Sequence, residues 1–270
     1  MNRPSFLTLC ALFPIAASTA ARAETMPETL LGWARKLVAE VIPANNIYGS
    51  HPTYVEWSDA ATGSVARNRS VCSSFANHLL ERSFGYTPHD LGAWFGKPVP
   101  HAVDYHATIA AGNGFERIVH VAAIRPGDII AIAFPPGSNP TGHVMIAASQ
   151  ARPRAPSAPI ESDTHQYEID VIDSANSGHG GSDTRRRADG GWTTGVGQGV
   201  LRLYARPDDT IAGYAWSPSV HSLFRSSTVR RPTIGRLDPA RVPPPSGSPG
   251  TNAGDPEDPA SADGAAPTDT

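Results

Sequence analysis

The apolar pattern of this chain changes period partway along, and that change limits the fold more than any other feature. Leu30, Leu31, Ala34, Leu37, Val38 and Val41 recur at helical spacing, as do Phe75, Ala76, Leu79, Leu80 and Phe84. The first set predicts a helix over Pro27 to Glu40, stopped by Pro43. The second predicts a helix with Ser70 as its N-cap and Gly85 at its end. Later apolar runs are short and bounded by Pro, Gly, Ser or Asp. They predict strands over Ile129–Phe134, Val144–Ala148, Tyr167–Ile172, Val200–Tyr204 and Ile211–Trp216. Helices first and strands afterwards give an α+β domain, with N-terminal helices packed on one antiparallel sheet, rather than alternating βαβ units.

Between these landmarks the pattern is thinner. Ala44 to Ser70 reads as loop, rich in Tyr48, His51, Tyr54, Trp57 and Asp59, aromatic and polar groups that suit either the wall of a substrate groove or packing under a loop. From Tyr86 to Val119 only a short helix from Asp104 to Ala111 and a turn at Gly112–Gly114 stand out. Ala151 to Thr164 reads as an exposed loop.

The two ends are separate from the domain. Residues 1–23 have a basic start, an apolar stretch from Ser5 to Ala17 and an Ala21-Arg-Ala23 site, the pattern of a secretory signal peptide. Residues 237–270 are dominated by Pro, Gly, Ser, Ala, Asp and Thr and read as a disordered acidic tail, leaving 24–236 as the domain. The expected location is secreted or periplasmic, with no membrane span once the leader is removed. Loss of the leader also removes Arg3 and Arg22, leaving 20 basic against 25 acidic residues, a net charge of −5. That balance argues against a nucleic-acid partner.

Leader removal takes Cys10 too, so Cys72 is the one cysteine of the mature chain. In an oxidising compartment a thiol without a partner is buried and inert, forms an intermolecular link, or is reactive. Its place in the first turn of a helix favours a thiolate, because free N–H groups and the helix dipole attract negative charge. A thiol nucleophile needs a base. Of ten histidines, His143 opens a strand directly after Thr141-Gly142, where a base would be rigidly held. Asp173 follows Val171-Ile172 and, with antiparallel pairing of the two strands, would end beside His143; Asn176 and His179 are rivals for the same place.

The order helix-borne Cys, strand-borne His, then a polar residue on the following strand resembles the NlpC-type and CHAP papain-like cell-wall peptidases and amidases. Arg125-Pro-Gly-Asp-Ile-Ile-Ala-Ile is similar to that superfamily's PGD element, Gly142-His-Val-Met-Ile-Ala to its histidine strand, and Val171-Ile-Asp-Ser-Ala-Asn-Ser-Gly to the strand of its third residue. The resemblance covers about residues 68–176. It implies a circularly permuted papain-like fold, with Cys72 as nucleophile, His143 as base, Asp173 as orienter and Asp128 as structural. It implies hydrolysis of an amide bond, with peptidoglycan peptides as substrate and no cofactor. Here Arg69-Ser-Val-Cys-Ser-Ser-Phe stands where the superfamily has a polar residue and Cys-Ser-Gly, and Tyr48 and Tyr54 lie further from the cysteine than its tyrosine does. A non-catalytic envelope-binding protein with an inert Cys72, or an acyl or peptidyl transferase using the same pair, are the alternatives.

Two further motifs were weighed. Gly178-His-Gly-Gly, Thr184-Arg-Arg-Arg and Gly190-Gly-Trp make a glycine-rich basic stretch that could bind a carboxylate-rich peptide or simply be a solvated loop. His101 and His106 flank Asp104, but at no standard ligand spacing, so no metal is expected.

Overall fold

The computed structural model describes residues 24–247. The expected leader, residues 1–23, and residues 248–270 of the expected tail lie outside the described residues. Helix α1 spans Met26–Glu40. Thr25 and Glu28 cap it reciprocally: Glu28 Oε2 accepts from the Thr25 N–H at 2.8 Å, and Thr25 Oγ1 accepts from the Glu28 N–H. The stretch after it is not a loop. It builds a three-stranded sheet from β1 (Asn46–Tyr48), β2 (Tyr54–Glu56) and β3 (Arg67–Ser70), with β3 in the centre. Strands of three or four residues leave too little alternation to show in a sequence. Buried Asn68 and Asn46 side chains hold this sheet instead: Asn68 Nδ2 donates to Asn46 Oδ1 at 2.9 Å, and Asn46 Oδ1 also accepts from the Val196 N–H at 2.8 Å.

Helix α2 spans Cys72–Phe84 and ends on Gly85, whose φ of 78° is the left-handed conformation glycine tolerates. Ser70 is not its cap. Ser70 is the last residue of β3, buried, and its hydroxyl donates to Asn68 Oδ1 at 2.6 Å. Val71 takes the cap position and carries no side-chain oxygen. Helices α3 (Pro88–Phe95) and α4 (Ala102–Ala110) and strand β4 (Phe115–Ile118) fill the stretch that carried little pattern. Thr87 and Asp90 cap α3 as Thr25 and Glu28 cap α1.

The remaining strands are β5 (Ile129–Ala133), β6 (Gly142–Ala147), β7 (Arg152–Pro153), β8 (His165–Ala175), β9 (Gly195–Ala205), β10 (Ile211–Ala215), β11 (Phe224–Ser226) and β12 (Arg231–Leu237). With β4 they form one sheet in the order β11-β10-β9-β8-β6-β5-β12-β4, with β7 beside β8, and every pairing in it is antiparallel. The class is therefore α+β, as the change of period predicts.

Both faces of the sheet are covered. Ile129, Ala131, Val144, Ile146 and Ile172 face α1, α2 and α4. Ile130, Ile132, Met145, Ala147 and Val171 face a second core with Leu201, Leu203 and Tyr214. That second core is enclosed because the sheet curls: His120 bridges to Thr210, and Val121 N–H donates to Asp209. Burial on both faces explains why β5 and β6 read as unbroken apolar runs. Asp128 anchors the start of β5, gripped by Arg236 Nε at 2.9 Å and accepting from the Arg125 N–H at 2.8 Å.

The tail boundary needs correction. Residues 237–247 are packed, not free: Leu237 is in β12, Val242 joins the helical core, Tyr86 Oη donates to the Pro243 carbonyl at 2.6 Å, and Ser246 N–H donates to Asp90 Oδ1. A Pro/Ser-rich stretch can be held by single anchors that leave no periodic signal.

Candidate active site

Cys72 is the first residue of α2, 5 % exposed. The Val71 N–H is taken by Ser74 Oγ at 2.9 Å, and no side-chain oxygen caps the turn that carries the thiol. The helix N-terminus therefore presents its partial positive charge to Cys72. Val71, Cys72, Ser73 and Ser74 line a groove of about 500 Å³, completed by Tyr48, His51, Thr53, Val99, His101 and Gly142, a size that suits a small ligand or peptide segment. Tyr48 and His51 thus do form a groove wall. Tyr54, Trp57 and Asp59 do not; they line a separate cleft of about 590 Å³ beyond Thr53, which holds no cysteine. Gly142 is required at the groove floor, because a Cβ there would collide with the Ile132 carbonyl and press on Ala102.

His143 sits on β6, and its ring is coupled electrostatically to the Cys72 thiol, each group shifting the other. Its Nε2 lies 2.6 Å from Asp173 Oδ2, which leaves Nδ1 for the sulfur. Strands β6 and β8 pair through Ile146–Ile172 and Ala147–Val171, so His143 and Asp173 lie at the same end of the pair. Asp173 does not end its strand: β8 continues to Ala175 and pairs with β9 along its whole length. Asp173 and His143 are both buried. All three residues singled out in the sequence therefore meet, in the order thiol, imidazole, carboxylate.

The electrostatics follow from burial and mutual contact. Burial pushes the Cys72 thiol up, but the His143 charge, its hydrogen bond and the Val144 backbone outweigh that, and the net shift is downward. Burial pushes His143 down, and the Cys72 charge with the Asp173 bond overturns it, raising the ring. The pair therefore favours thiolate and imidazolium. Burial would raise Asp173, but His179, Arg185 and His143 hold its carboxyl well below the usual range.

Sequence reasoning left Asp173, Asn176 and His179 as competitors. Asp173 takes the place beside His143, and His179 stands behind it: His179 Nε2 is 2.9 Å from the same Asp173 Oδ2. Asn176 is exposed and makes no such contact. The basic stretch splits as well. Arg185 is not solvated; it is 1 % exposed, with Nη1 3.0 Å from Asp173 Oδ1 and Nε and Nη2 on the Asp183 carboxylate at 2.9 and 2.8 Å. Arg186 stays outside, over the Trp192 ring. Trp216 stacks on His179 at 4.2 Å and meets His143 edge-on at 4.8 Å. Asp183 and Trp216 carry no site signal in the sequence, and Arg185 shows there only as part of a basic stretch. One signal could have found them: Gly195, Gly197 and Gly199 alternate on one face of β9. A Cβ on Gly197 would overlap Arg185, and one on Gly199 would overlap Asp183 and His179.

Among the described residues no group of three or more His, Cys, Asp or Glu side chains is placed to hold a metal ion. Among them too, no helix is long and apolar enough to cross a membrane.

No protein-family model matches the chain, and no solved structure matches it. The chain is 37% identical over 216 residues to a protein of Acanthamoeba polyphaga mimivirus whose printed name is "Uncharacterized protein R653"; the match spans 76% of this chain and 95% of the viral one. At that identity and coverage, the chain belongs to the same family as this mimivirus protein.

Proposed function

We propose that this protein is a thiol hydrolase that cleaves an amide bond through Cys72, His143 and Asp173. One observation carries the reading: the thiol at an uncapped helix N-terminus is coupled electrostatically to an imidazole whose Nε2 rests 2.6 Å from a buried carboxylate. The Cys72 thiolate attacks the scissile carbonyl carbon, and the carbonyl oxygen takes the electron pair. The Cys72 backbone N–H and the Tyr48 hydroxyl are the donors for that oxyanion. Burial, with the Cys72 and Asp173 charges, pushes the Tyr48 phenol up to about 12, so it stays a neutral donor at neutral pH. His143 gives its proton to the departing amine nitrogen, leaving a thioester on Cys72. Neutral His143 then takes a proton from water, which attacks the thioester and releases the acid and the thiolate. Asp173 holds the ring and stabilises its charged form without taking the proton.

The resemblance to NlpC-type and CHAP enzymes supports a circularly permuted papain-like fold and peptidoglycan peptides as substrate. The leader pattern of residues 1–23 supports action outside the cytoplasm. Cys72→Ala should keep the fold and abolish release of amine from cell-wall peptides. Equal turnover by purified Cys72→Ala and wild type would exclude the thiol mechanism. The near-complete burial of Cys72 favours one rival, a non-catalytic envelope-binding protein. Rapid alkylation of Cys72 in the folded protein at mildly acidic pH would exclude that rival.

A further inference from the structure

His179 is a buried titratable group that the hydrolytic steps above do not use. It is 0% exposed. Its Nδ1 lies 2.7 Å from the Trp216 carbonyl oxygen and its Nε2 2.9 Å from Asp173 Oδ2. A carbonyl and a carboxylate only accept, so both ring nitrogens must donate, and a ring that donates twice carries a proton on each. Exchanging the two nitrogens by a ring flip leaves the same requirement.

The surroundings fit a cation. Trp216 stacks on the ring face at 4.2 Å and 28°, a cation–π arrangement. The charged groups around it come from each neighbouring segment. Asp173 on β8 and Asp183, which accepts from the His179 N–H at 2.7 Å, are negative; Arg185 is positive; His143 on β6 shares the Asp173 oxygen. With the thiolate and both imidazolium rings, three positive charges meet three negative ones. Transfer of the proton between Cys72 and His143 keeps that balance, whereas a neutral His179 would leave one negative charge in excess in the interior. The alternating glycines of β9 open the space that this cluster fills.

We propose that His179 is a positioning residue, a permanent buried imidazolium that clamps Asp173 from behind and sets the acidity of the Cys72–His143 pair. The proposal rests on the reading of Cys72 and His143 as the reacting pair. The clamp fixes the Asp173 carboxylate so that Oδ2 meets His143. Its charge also offsets part of the carboxylate, making His143 a readier donor to the leaving amine while favouring the thiolate. A neutral residue in its place should make both Cys72 and His143 harder to deprotonate.

Two measurements without any substrate test this. The first is the rate of Cys72 alkylation by iodoacetamide against pH, in wild type and His179→Gln. Glutamine still donates to Asp173 but has no charge. Both inflections, thiolate formation and loss of the His143 proton, should move upward by about one pH unit. A merely structural role would change rates and leave the inflections in place, and that outcome would overturn the proposal. The second is the ring nitrogen spectrum of the unaltered, histidine-labelled protein. His179 should show two protonated nitrogens at neutral pH, as its two acceptors require. A single protonated nitrogen at neutral pH would overturn the proposal even if His179→Gln does not fold. Both readouts stand apart from hydrolysis: shifted inflections with no amide cleavage would sink the hydrolase reading and keep the clamp.

Discussion

Two buried arginines lie along strand β9, Arg185 packed on it and Arg202 within it, and they are neutralised in different ways. Arg185 packs over Gly197 and is surrounded by carboxylates, Asp173 on one side and Asp183 on the other. Arg202, on β9 itself and 0% exposed, pairs with no carboxylate among the described residues. Its Nη1 donates to the Ser157 and Ala158 carbonyls and the Tyr204 hydroxyl, and its Nη2 to the Ser217 and Ser219 carbonyls. Carbonyl dipoles spread over two loops can hold a guanidinium, but they carry no net charge to respond to it. Arg202 therefore ties the 157–158 and 217–219 loops to the sheet, and so steadies the approach to Trp216. Arg185 instead joins a charge balance that reaches the thiol through Asp173. One buried arginine serves architecture and the other serves acidity.

Removing each arginine in turn should separate the two roles. Arg185→Met leaves Asp173 and Asp183 buried without their shared counter-ion, which should cost about 3–5 kcal/mol in denaturant unfolding. It should also raise the inflection for Cys72 alkylation. A loss below ~1 kcal/mol would mean that solvent reaches the cluster.

Acid unfolding separates the two arginines, because only Arg185 touches Asp173. Asp173's folded pKa is depressed, so its contribution is present above the unfolded value of about 3.9 and is lost as pH falls through the folded value. Arg185→Met should move that acid-side loss to higher pH, while Arg202→Met should leave it in place. His143 works in the other direction. Against the downward push of burial, the Cys72 charge and Asp173 bond raise it to about 10, so its contribution is complete below ~6.5 and fades as pH rises through that folded value. Cys72→Ala removes the largest raising cause and should bring the His143 titration, followed by NMR, to lower pH.

Arg202→Met should cost less than Arg185→Met, about 1–3 kcal/mol, since the freed carbonyls lose a donor but no charge is stranded. Its alkylation profile should match wild type. A shifted profile would show that the loops, and not only the charges, set the thiol's acidity. The smallest effect expected is from ending the chain at Leu237. Loss of the Val242 packing and the Tyr86–Pro243 and Asp90–Ser246 bonds should lower stability by about 1–2 kcal/mol in the same unfolding assay, with alkylation unaltered. No change would return residues 238–247 to the free tail.

α1, α2 and the positions of five central strands are legible in the sequence, because each has enough residues for its period to show. It also singled out Cys72, His143 and Asp173, since Cys72 is the one cysteine outside the expected leader and the motifs around it are local. Three things were decided only by the tertiary structure. The β1–β3 sheet and α3 are too short for periodicity, and are held by Asn46, Asn68 and the Thr87–Asp90 cap. The choice of Asp173 over Asn176 and His179 depended on the register of β8 against β6, which sets Asp173 beside His143, and on the following loop, which folds His179 in behind Asp173 and leaves Asn176 exposed. The conversion of a basic glycine-rich run into a buried counter-charge for Asp173 depended on β9. Its glycines make room for Arg185 and Asp183 only once the strand is paired, and charge balance is a property of groups brought together in space rather than of their order along the chain.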